Sequence, residues 1–345
     1  MNDMKTILKY ALLVAVVLTG CGHADNSYEI RFDGLDEIFN GQTAYLVDYD
    51  TNDKMDSVKI VDRSIRFNGK IDNPVYVALY CNGRMTSNFV LEPGILTIEN
   101  GTVRGGDLNE AIAKLELGQM NVIKEFRELP DSVRPSQSIY YDSIITSMTT
   151  RFIEKNIDNP AGYIEFLSGP IRKMSVSQID SFVKGHPILE NSSQIKRTRE
   201  MLLNLEATSE GGRFKDFEVV FESDTFRLSD YVGHGRYVLV DFWASWCGPC
   251  LRQAGLLKEL YGKYKSRGLD VIGVAVWDDP ENTRQSIVEN NLNWINVINA
   301  QNIPTDLYGI TGIPCAILFG PDGTILSRGR QGKALSEAVA NAMGD

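Results

Sequence analysis

The stretch that decides the fold is YVLVDFWASWCGPC, residues 237–250, which contains two cysteines separated by two residues. Its apolar first half predicts a buried strand, and apolar side chains recur at helical spacing after Cys250. Cys247 is therefore expected at the N-terminus of a helix, where unpaired backbone N–H groups and the helix dipole stabilise an anion. Because a thiolate is an anion, this position is expected to lower the pKa of the Cys247 thiol. Two cysteines at this spacing can close into a small disulfide and open again.

The composition indicates a globular protein with several domains. The chain has 345 residues, of which 43% are hydrophobic and 9% aromatic, enough for two or three domains with sizeable cores. Its formal net charge of −10 argues against nucleic acid as a partner, because phosphate binding requires clusters of basic residues. The short basic run at residues 196–199 is interpreted as a solvated helix face.

The N-terminus has the pattern of a targeting segment. Lys5 and Lys9 precede an apolar run at residues 10–18, which is shorter than the roughly 20 residues that span a bilayer and fits a secretory signal. The run ends in LTGC, residues 18–21, which resembles the bacterial lipobox. This resemblance implies a signal peptide at 1–20, lipid on the sulfur of Cys21, and a tether at 21–27 outside the cytoplasm. The alternative is an ordinary signal peptide with a cysteine nearby by chance.

Residues 28–106 predict a small all-β domain, because short β-rich runs alternate with turn pairs such as Asn68-Gly69 and Pro93-Gly94. An antiparallel β-sandwich or barrel is the expected architecture. The region resembles an uncharacterised β-rich domain found ahead of thioredoxin-like modules in Gram-negative envelope lipoproteins. The resemblance is carried by Gly41–Leu46, Asp56-Ser57-Val58, Phe67-Asn68-Gly69, Phe89–Gly94 and Gly105–Asn109. It transfers no catalytic residue.

Residues 107–208 predict a helical linker domain of three to five helices, interrupted at three X-Pro pairs. These pairs are Asn159-Pro160, Gly169-Pro170 and His186-Pro187. Spacing and dimerisation are both open as its role. From residue 213 to 345, strand and helix patterns alternate, which predicts an α/β domain.

This last region resembles the thioredoxin fold, and more narrowly the TlpA/ResA-like thiol–disulfide oxidoreductases. The matching residues are Leu228-Ser229-Asp230-Tyr231, Val238–Cys250 and Tyr308–Pro314. The resemblance implies that Cys247 is the exposed nucleophile and that Cys250 is the buried thiol that resolves a mixed disulfide. It also implies a cis-proline at Pro314 that faces the disulfide. The expected substrate contacts are Trp246, Gly248, Pro249 and the backbone of Ile313.

Asp241 lies six residues before Cys247, at the position of the buried acid in thioredoxins. Burial would raise its pKa and make it a proton acceptor for Cys250. The alternative is a polar strand residue satisfied by water or backbone. The chain departs from the family at Gln253 and Gly255, where relatives usually carry an acid and then a proline, so no role for a carboxylate on that helical turn is transferred.

Two further cysteines are expected to be buried and unreactive. Cys81 lies at a predicted strand end, and Cys315 directly follows Pro314; the alternative for Cys315 is a third thiol that traps mixed disulfides. No metal site is expected, since there is one CxxC pair and only three histidines. No cofactor is expected beyond the Cys247–Cys250 disulfide.

The resulting hypothesis is a lipid-anchored envelope protein that reduces disulfides in extracytoplasmic proteins, such as those awaiting haem attachment. Its electrons would come from a membrane thiol carrier. One alternative is a disulfide oxidant or isomerase, because potentials in this fold range from about −270 to −120 mV. The other is an envelope lipoprotein that binds a partner through residues 28–207 and has secondary redox activity.

Overall fold

A computed structural model of the chain describes residues 26–99 and 101–345, and the chain divides into two compact units between Glu165 and Phe166. The predicted signal peptide, the lipidation at Cys21 and most of the tether lie outside the described residues. Within the described ranges, no helix combines the length and the apolar character that a membrane crossing requires. The three-part division at residues 106/107 and 208/213 stays a prediction.

The first unit begins with eight strands that form two four-stranded sheets around one apolar core. The strands are β1 Ser27–Phe32, β2 Thr43–Asp48, β3 Lys54–Lys59, β4 Ile65–Lys70, β5 Val75–Cys81, β6 Arg84–Leu91, β7 Gly94–Glu99 and β8 Thr102–Arg104. One sheet has the order β4-β1-β7-β8 and the other β3-β2-β5-β6. The all-β prediction is confirmed, but the antiparallel expectation is wrong for β1 and β7, which pair in parallel. The whole second sheet lies between them in sequence, so the chain returns by a crossover and not by a hairpin.

Six α-helices follow, and they confirm the helical middle region. They are α1 Asp107–Glu128, α2 Arg134–Lys155, α3 Pro160–Ser168, α4 Val176–Val183, α5 Pro187–Glu190 and α6 Ser193–Ala207. The prediction of three to five helices is wrong by one, because α5 is a single turn, too short to produce a periodic pattern. Pro160 and Pro187 begin helices, since proline loses no hydrogen bond in a first turn.

The second unit contains a five-stranded sheet with the order β13-β12-β11-β14-β15, beside the two-stranded hairpin β9–β10. Its strands are β9 Glu218–Phe221, β10 Asp224–Arg227, β11 Tyr237–Trp243, β12 Leu269–Ala275, β13 Ile295–Val297, β14 Cys315–Phe319 and β15 Ile325–Arg328. Its helices are α7 Gly248–Tyr264, α8 Pro280–Glu289, α9 Ile303–Tyr308 and α10 Gly332–Met343. Apolar clusters cover both faces of the sheet, as expected for parallel strands between helices.

The order of this sheet brings three chain segments to one edge. β11 and β12 are parallel neighbours, so their carboxyl ends meet there. β14 runs antiparallel to β11, which places the start of β14, and Pro314 before it, at the same edge. The residues after Trp243, the residues after Ala275 and the residues before Cys315 therefore lie close together.

Candidate active site

Cys247 and Cys250 form a disulfide at this edge, with an S–S distance of 2.01 Å. Cys247 is the N-cap residue of α7, and its Sγ accepts the backbone N–H of Cys250 at 3.2 Å. Gly248 and Pro249 form the first turn of the helix, where proline fits without loss of a hydrogen bond. The predicted sequence of strand, loop and helix N-terminus is confirmed, and it points the backbone N–H of Cys250 at the Cys247 sulfur.

The prediction that Cys247 is exposed is wrong for this oxidised form. Its exposed fraction is only 4%, against 1% for Cys250. Both cysteines pack in an apolar cluster with Trp243 and Ala254. A substrate therefore meets the rim of the site, where Trp246 is 63% exposed.

The peptide bond between Ile313 and Pro314 is cis, as the resemblance implied. Pro314 is buried and its carbonyl oxygen accepts the Gln331 side-chain amide at 3.1 Å. Ile313 is half-buried and packs against the cluster that contains Cys247 and Cys250. The structure thus brings the proline loop and the disulfide together, while pairing of the Ile313 backbone with substrate stays a prediction.

Asp241 lies on β11 beneath the site with an exposed fraction of 3%. Burial raises the pKa of Asp241 to about 7, and a 2.8 Å hydrogen bond from Nε2 of Gln253 opposes this rise because it favours the carboxylate. A carboxyl group that titrates near neutral pH can both accept and return a proton under working conditions. Gln253, noted in the sequence only as a departure from the family, is therefore the polar partner of Asp241.

Sequence reasoning missed Asp278, which holds the loop between β11 and Cys247. Its carboxylate accepts the backbone N–H of Ser245 at 2.6 Å and the Ser245 hydroxyl at 2.9 Å. It also accepts the backbone N–H of Asp279 at 3.0 Å, and the Thr283 hydroxyl lies 2.9 Å away. The position of Asp278 in the sequence could have indicated this role, because it follows a predicted buried strand. If that strand is a parallel neighbour of β11, the carboxyl ends of the two strands meet and place Asp278 near Cys247.

Trp277, the preceding residue, was missed as well. Its backbone carbonyl accepts the indole N–H of Trp246 at 2.9 Å, and its own indole N–H donates to Oδ1 of Asn302 at 2.7 Å. Asn302 immediately precedes α9, the short helix that leads to the proline loop. Residues 276–278 thus connect the loop that carries Cys247 with the segment that carries Pro314.

Cys315 and Cys81 are free and buried. Burial raises the pKa of the Cys315 thiol to about 11 and also raises the pKa of Cys81. Both thiols are then protonated at neutral pH, as expected for unreactive cysteines. Across residues 26–99 and 101–345, no group of three or more His, Cys, Asp or Glu side chains could hold a metal ion. Cofactor-free and metal-free chemistry stays a prediction.

Two family models match the chain. Residues 211–328 match the AhpC/TSA family, and residues 35–111 match a domain of unknown function, DUF4369. The second match agrees with the uncharacterised β-rich domain expected at this position.

Curated relatives extend the match in the second unit. Thiol-disulfide oxidoreductase ResA of Geobacillus thermodenitrificans is 30% identical over 120 residues, which are 34% of this chain and 68% of that protein. ResA of Halalkalibacterium halodurans is 34% identical over 106 residues, which are 30% of this chain and 58% of the relative. The thioredoxin domain of a thiol-disulfide oxidoreductase from Bacteroides vulgatus is 26% identical over 39% of this chain and 99% of that domain, with a TM-score of 0.36. Residues 211–328 contain the thioredoxin-like domain, and the chain belongs to the ResA-like thiol-disulfide oxidoreductases.

Proposed function

We propose that this chain is anchored in the cell envelope by lipid on Cys21 and reduces disulfides in proteins outside the cytoplasm. The observation that carries the redox part is the arrangement of Cys247 at a helix N-terminus with Asp241 buried beneath it. The Gly-Pro pair between the cysteines favours the reducing direction over oxidation or isomerisation. The anchor rests on the lipobox resemblance of residues 18–21.

The proposed reaction starts from the reduced pair. The Cys247 thiolate attacks one sulfur of the substrate disulfide, so that a mixed disulfide forms and the other substrate sulfur leaves as a thiolate. Asp241 accepts the proton of Cys250, and the Cys250 thiolate then attacks Sγ of Cys247. The second substrate sulfur leaves, and the Cys247–Cys250 disulfide remains. Two electrons have passed to the substrate, and Asp241 returns its proton to solvent.

The pair must then be reduced again before another turnover. We propose a membrane thiol carrier as the donor, because a lipid-anchored protein stays within reach of one. Suitable substrates are extracytoplasmic proteins whose cysteines must be reduced, including those awaiting haem attachment and those oxidised by mistake. Trp246, Gly248, Pro249 and the backbone of Ile313 would contact these substrates, beside the cis-proline Pro314.

Trapping of mixed disulfides tests this function in the full-length protein. Cys250→Ser leaves the attacking thiol and removes the resolving one, so this variant should accumulate covalent complexes with envelope proteins that a reductant releases. Cys247→Ser is the matched control and should trap none. Equal trapping by the two variants would contradict the assigned order of attack. Loss of membrane association in Cys21→Ser, with trapping retained, would support the anchor separately.

A further inference from the structure

Trp277 has an unusual backbone conformation, with φ at +54°. Bulky side chains rarely adopt this left-handed region. Among the described residues with positive φ, all the other non-glycine residues are polar or charged. A conformation of this kind persists only where the surroundings impose it, and such sites often belong to function.

Hydrogen bonds on both sides impose this conformation. The Trp277 carbonyl holds the Trp246 indole, and the Trp277 indole is held by Asn302. The neighbouring Asp278 is tied to Ser245, on the loop that carries Cys247. The Trp246 indole is therefore fixed against the backbone of Trp277 at the rim of the disulfide, and the Trp277 indole is fixed against Asn302.

These indoles belong to an apolar surface that reaches solvent. Trp246 is 63% exposed, Trp277 is half-buried, and Ile303, which directly follows Asn302, is 50% exposed. Ile313 is half-buried against the cluster that contains the cysteines, and Ile313 and Trp277 both pack against a second apolar cluster. We call Trp246, Trp277 and Ile303 the apolar wall. None of its side chains carries a charge, so it offers nothing to a charged recognition motif.

The chemistry of the site indicates what covers the wall. Disulfide exchange requires a substrate sulfur in contact with Sγ of Cys247, so the polypeptide that carries this sulfur must pass over the residues next to it. Trp246 is one residue from Cys247 and is bonded to Trp277. The apolar wall is therefore continuous with the surface on which the substrate reacts.

We propose that Trp277 is a specificity-determining residue, which with Trp246 and Ile303 receives an aliphatic or aromatic side chain of the substrate polypeptide beside its reacting cysteine. This inference deepens the proposed function and rests on it for the direction of electron flow. The preference for an apolar substrate side chain does not depend on the direction of electron flow, because thiol–disulfide exchange is reversible.

Trp277→Gly in the full chain gives the sharpest test, because glycine adopts positive φ without steric cost and relieves the backbone. The substrates are two peptide disulfides that differ only in a Leu or a Ser next to the cysteine, together with hydroxyethyl disulfide as a small substrate without a peptide chain. We expect kcat/KM for the Leu peptide to fall about tenfold or more through KM, as for loss of an apolar subsite. Rates with the Ser peptide and the small disulfide should stay within about twofold. An equal loss with both peptides, or no loss, would overturn the proposal.

Two further variants keep the test decisive if Trp277→Gly folds poorly. Ile303→Ser removes another part of the wall without changing a strained residue, and it should reduce the preference for Leu over Ser in the same direction. Val220→Ala alters an apolar side chain on β9 that is 62% exposed, and it should leave the preference unchanged. Preference for Leu during oxidation of dithiol peptides, with no reduction of protein disulfides, would contradict the reductase proposal and leave the wall intact.

Discussion

At the scale of single residues, Asp241 is the group whose environment most changes its chemistry. It is buried on a central strand, and its carboxylate accepts a side-chain hydrogen bond from the neutral Gln253. No cation therefore compensates its charge through that contact, and burial keeps the protonated form populated up to neutral pH. The proposed role of Asp241 as the base for Cys250 depends on this raised pKa, which also makes folding stability depend on pH.

We expect Asp241→Asn to stabilise the oxidised protein above pH 7 but little at pH 4. The carboxyl has a pKa of about 3.9 in an unfolded chain and about 7 in the folded protein. Between these values the folded state binds more protons, so the stability of the wild type falls as pH rises through this window. Three pKa units correspond to a gain of order 4 kcal/mol for the variant at pH 8. Urea unfolding at pH 4 and pH 8 measures it.

The exposed Asp224 on β10 provides the control, since Asp224→Asn should show no such dependence on pH. The same gain for Asp241→Asn at both pH values would mean that Asp241 does not titrate in this window. If Asp241→Asn is more stable but resolves mixed disulfides more slowly, the loss of rate cannot come from unfolding. It would then reflect the loss of the proton acceptor.

Gln253→Met should move the pH dependence of disulfide exchange to higher pH. Methionine has a similar length but no N–H donor, so the carboxylate of Asp241 loses the hydrogen bond that favours it and its pKa rises. The pH–rate profile of exchange with a peptide disulfide measures the shift. Gln285→Met, an exposed substitution on α8, should leave the profile in place. A downward shift for Gln253→Met would contradict this role.

Local sequence patterns predict some of these residues and miss others for physical reasons. Cys247, Cys250 and Pro314 belong to short motifs, and Asp241 stands at a fixed distance from them. Asp278 and Trp277 act through hydrogen bonds to a loop more than 30 residues earlier, which no local pattern contains. Their contribution depends on which strands are neighbours.

At the scale of elements, β12 supports the site from the middle of the sheet. Gly273 pairs with Asp241 in register, and polar side-chain atoms crowd its face. A Cβ atom there would lie 2.7 Å from Oδ1 of Asn296 and 3.1 Å from Nε1 of Trp243. Trp243 ends β11 just before the loop that carries Cys247. A side chain at position 273 would therefore push against a residue next to this loop.

We expect Gly273→Ala to destabilise the oxidised protein by about 1–3 kcal/mol, the usual cost of an overpacked core. Gly255→Ala is the matched control, because Gly255 lies on the exposed side of α7 with open space around it. That variant should be stabilised by up to about 1 kcal/mol, since alanine is the better helix former. Urea unfolding measures both. Equal effects of the same sign would contradict the packing described for β12.

Helices and strands could be predicted from the sequence wherever hydrophobic periodicity extends over several helical turns or a whole strand. β8 and α9 were missed because they have only three and six residues, too few for a period to show. The parallel pairing of β1 with β7 was missed for another reason. It joins strands that are distant in sequence, and local patterns do not contain pairing partners.

At the scale of the whole molecule, the chain combines a redox unit with a β-rich unit, whose residues from 26 onward, as far as the structure describes them, contain no pair of thiols. The first unit contributes one free cysteine, Cys81, and the second contributes Cys315 beside the disulfide pair. Burial of both thiols predicts that the redox pair works alone.

The sample is the oxidised, folded protein without Cys21, treated with a maleimide at pH 7. We expect neither Cys81 nor Cys315 to be labelled in the time that an unfolded sample needs for complete labelling. Two thiols should react after denaturation. Mass spectrometry counts the labels. Rapid labelling of Cys315 in the folded protein would revive the alternative of a third reactive thiol, and Cys315→Ser would identify its signal.

The equilibrium reduction potential of the Cys247–Cys250 pair tests the central claim most directly. It is measured on the mature chain without Cys21, with Cys315→Ser alongside to exclude a third thiol. A reductase of this fold should have a potential near that of thioredoxin, about −270 mV, and the two proteins should agree. A potential near about −120 mV would contradict the account and identify an oxidant of exported proteins.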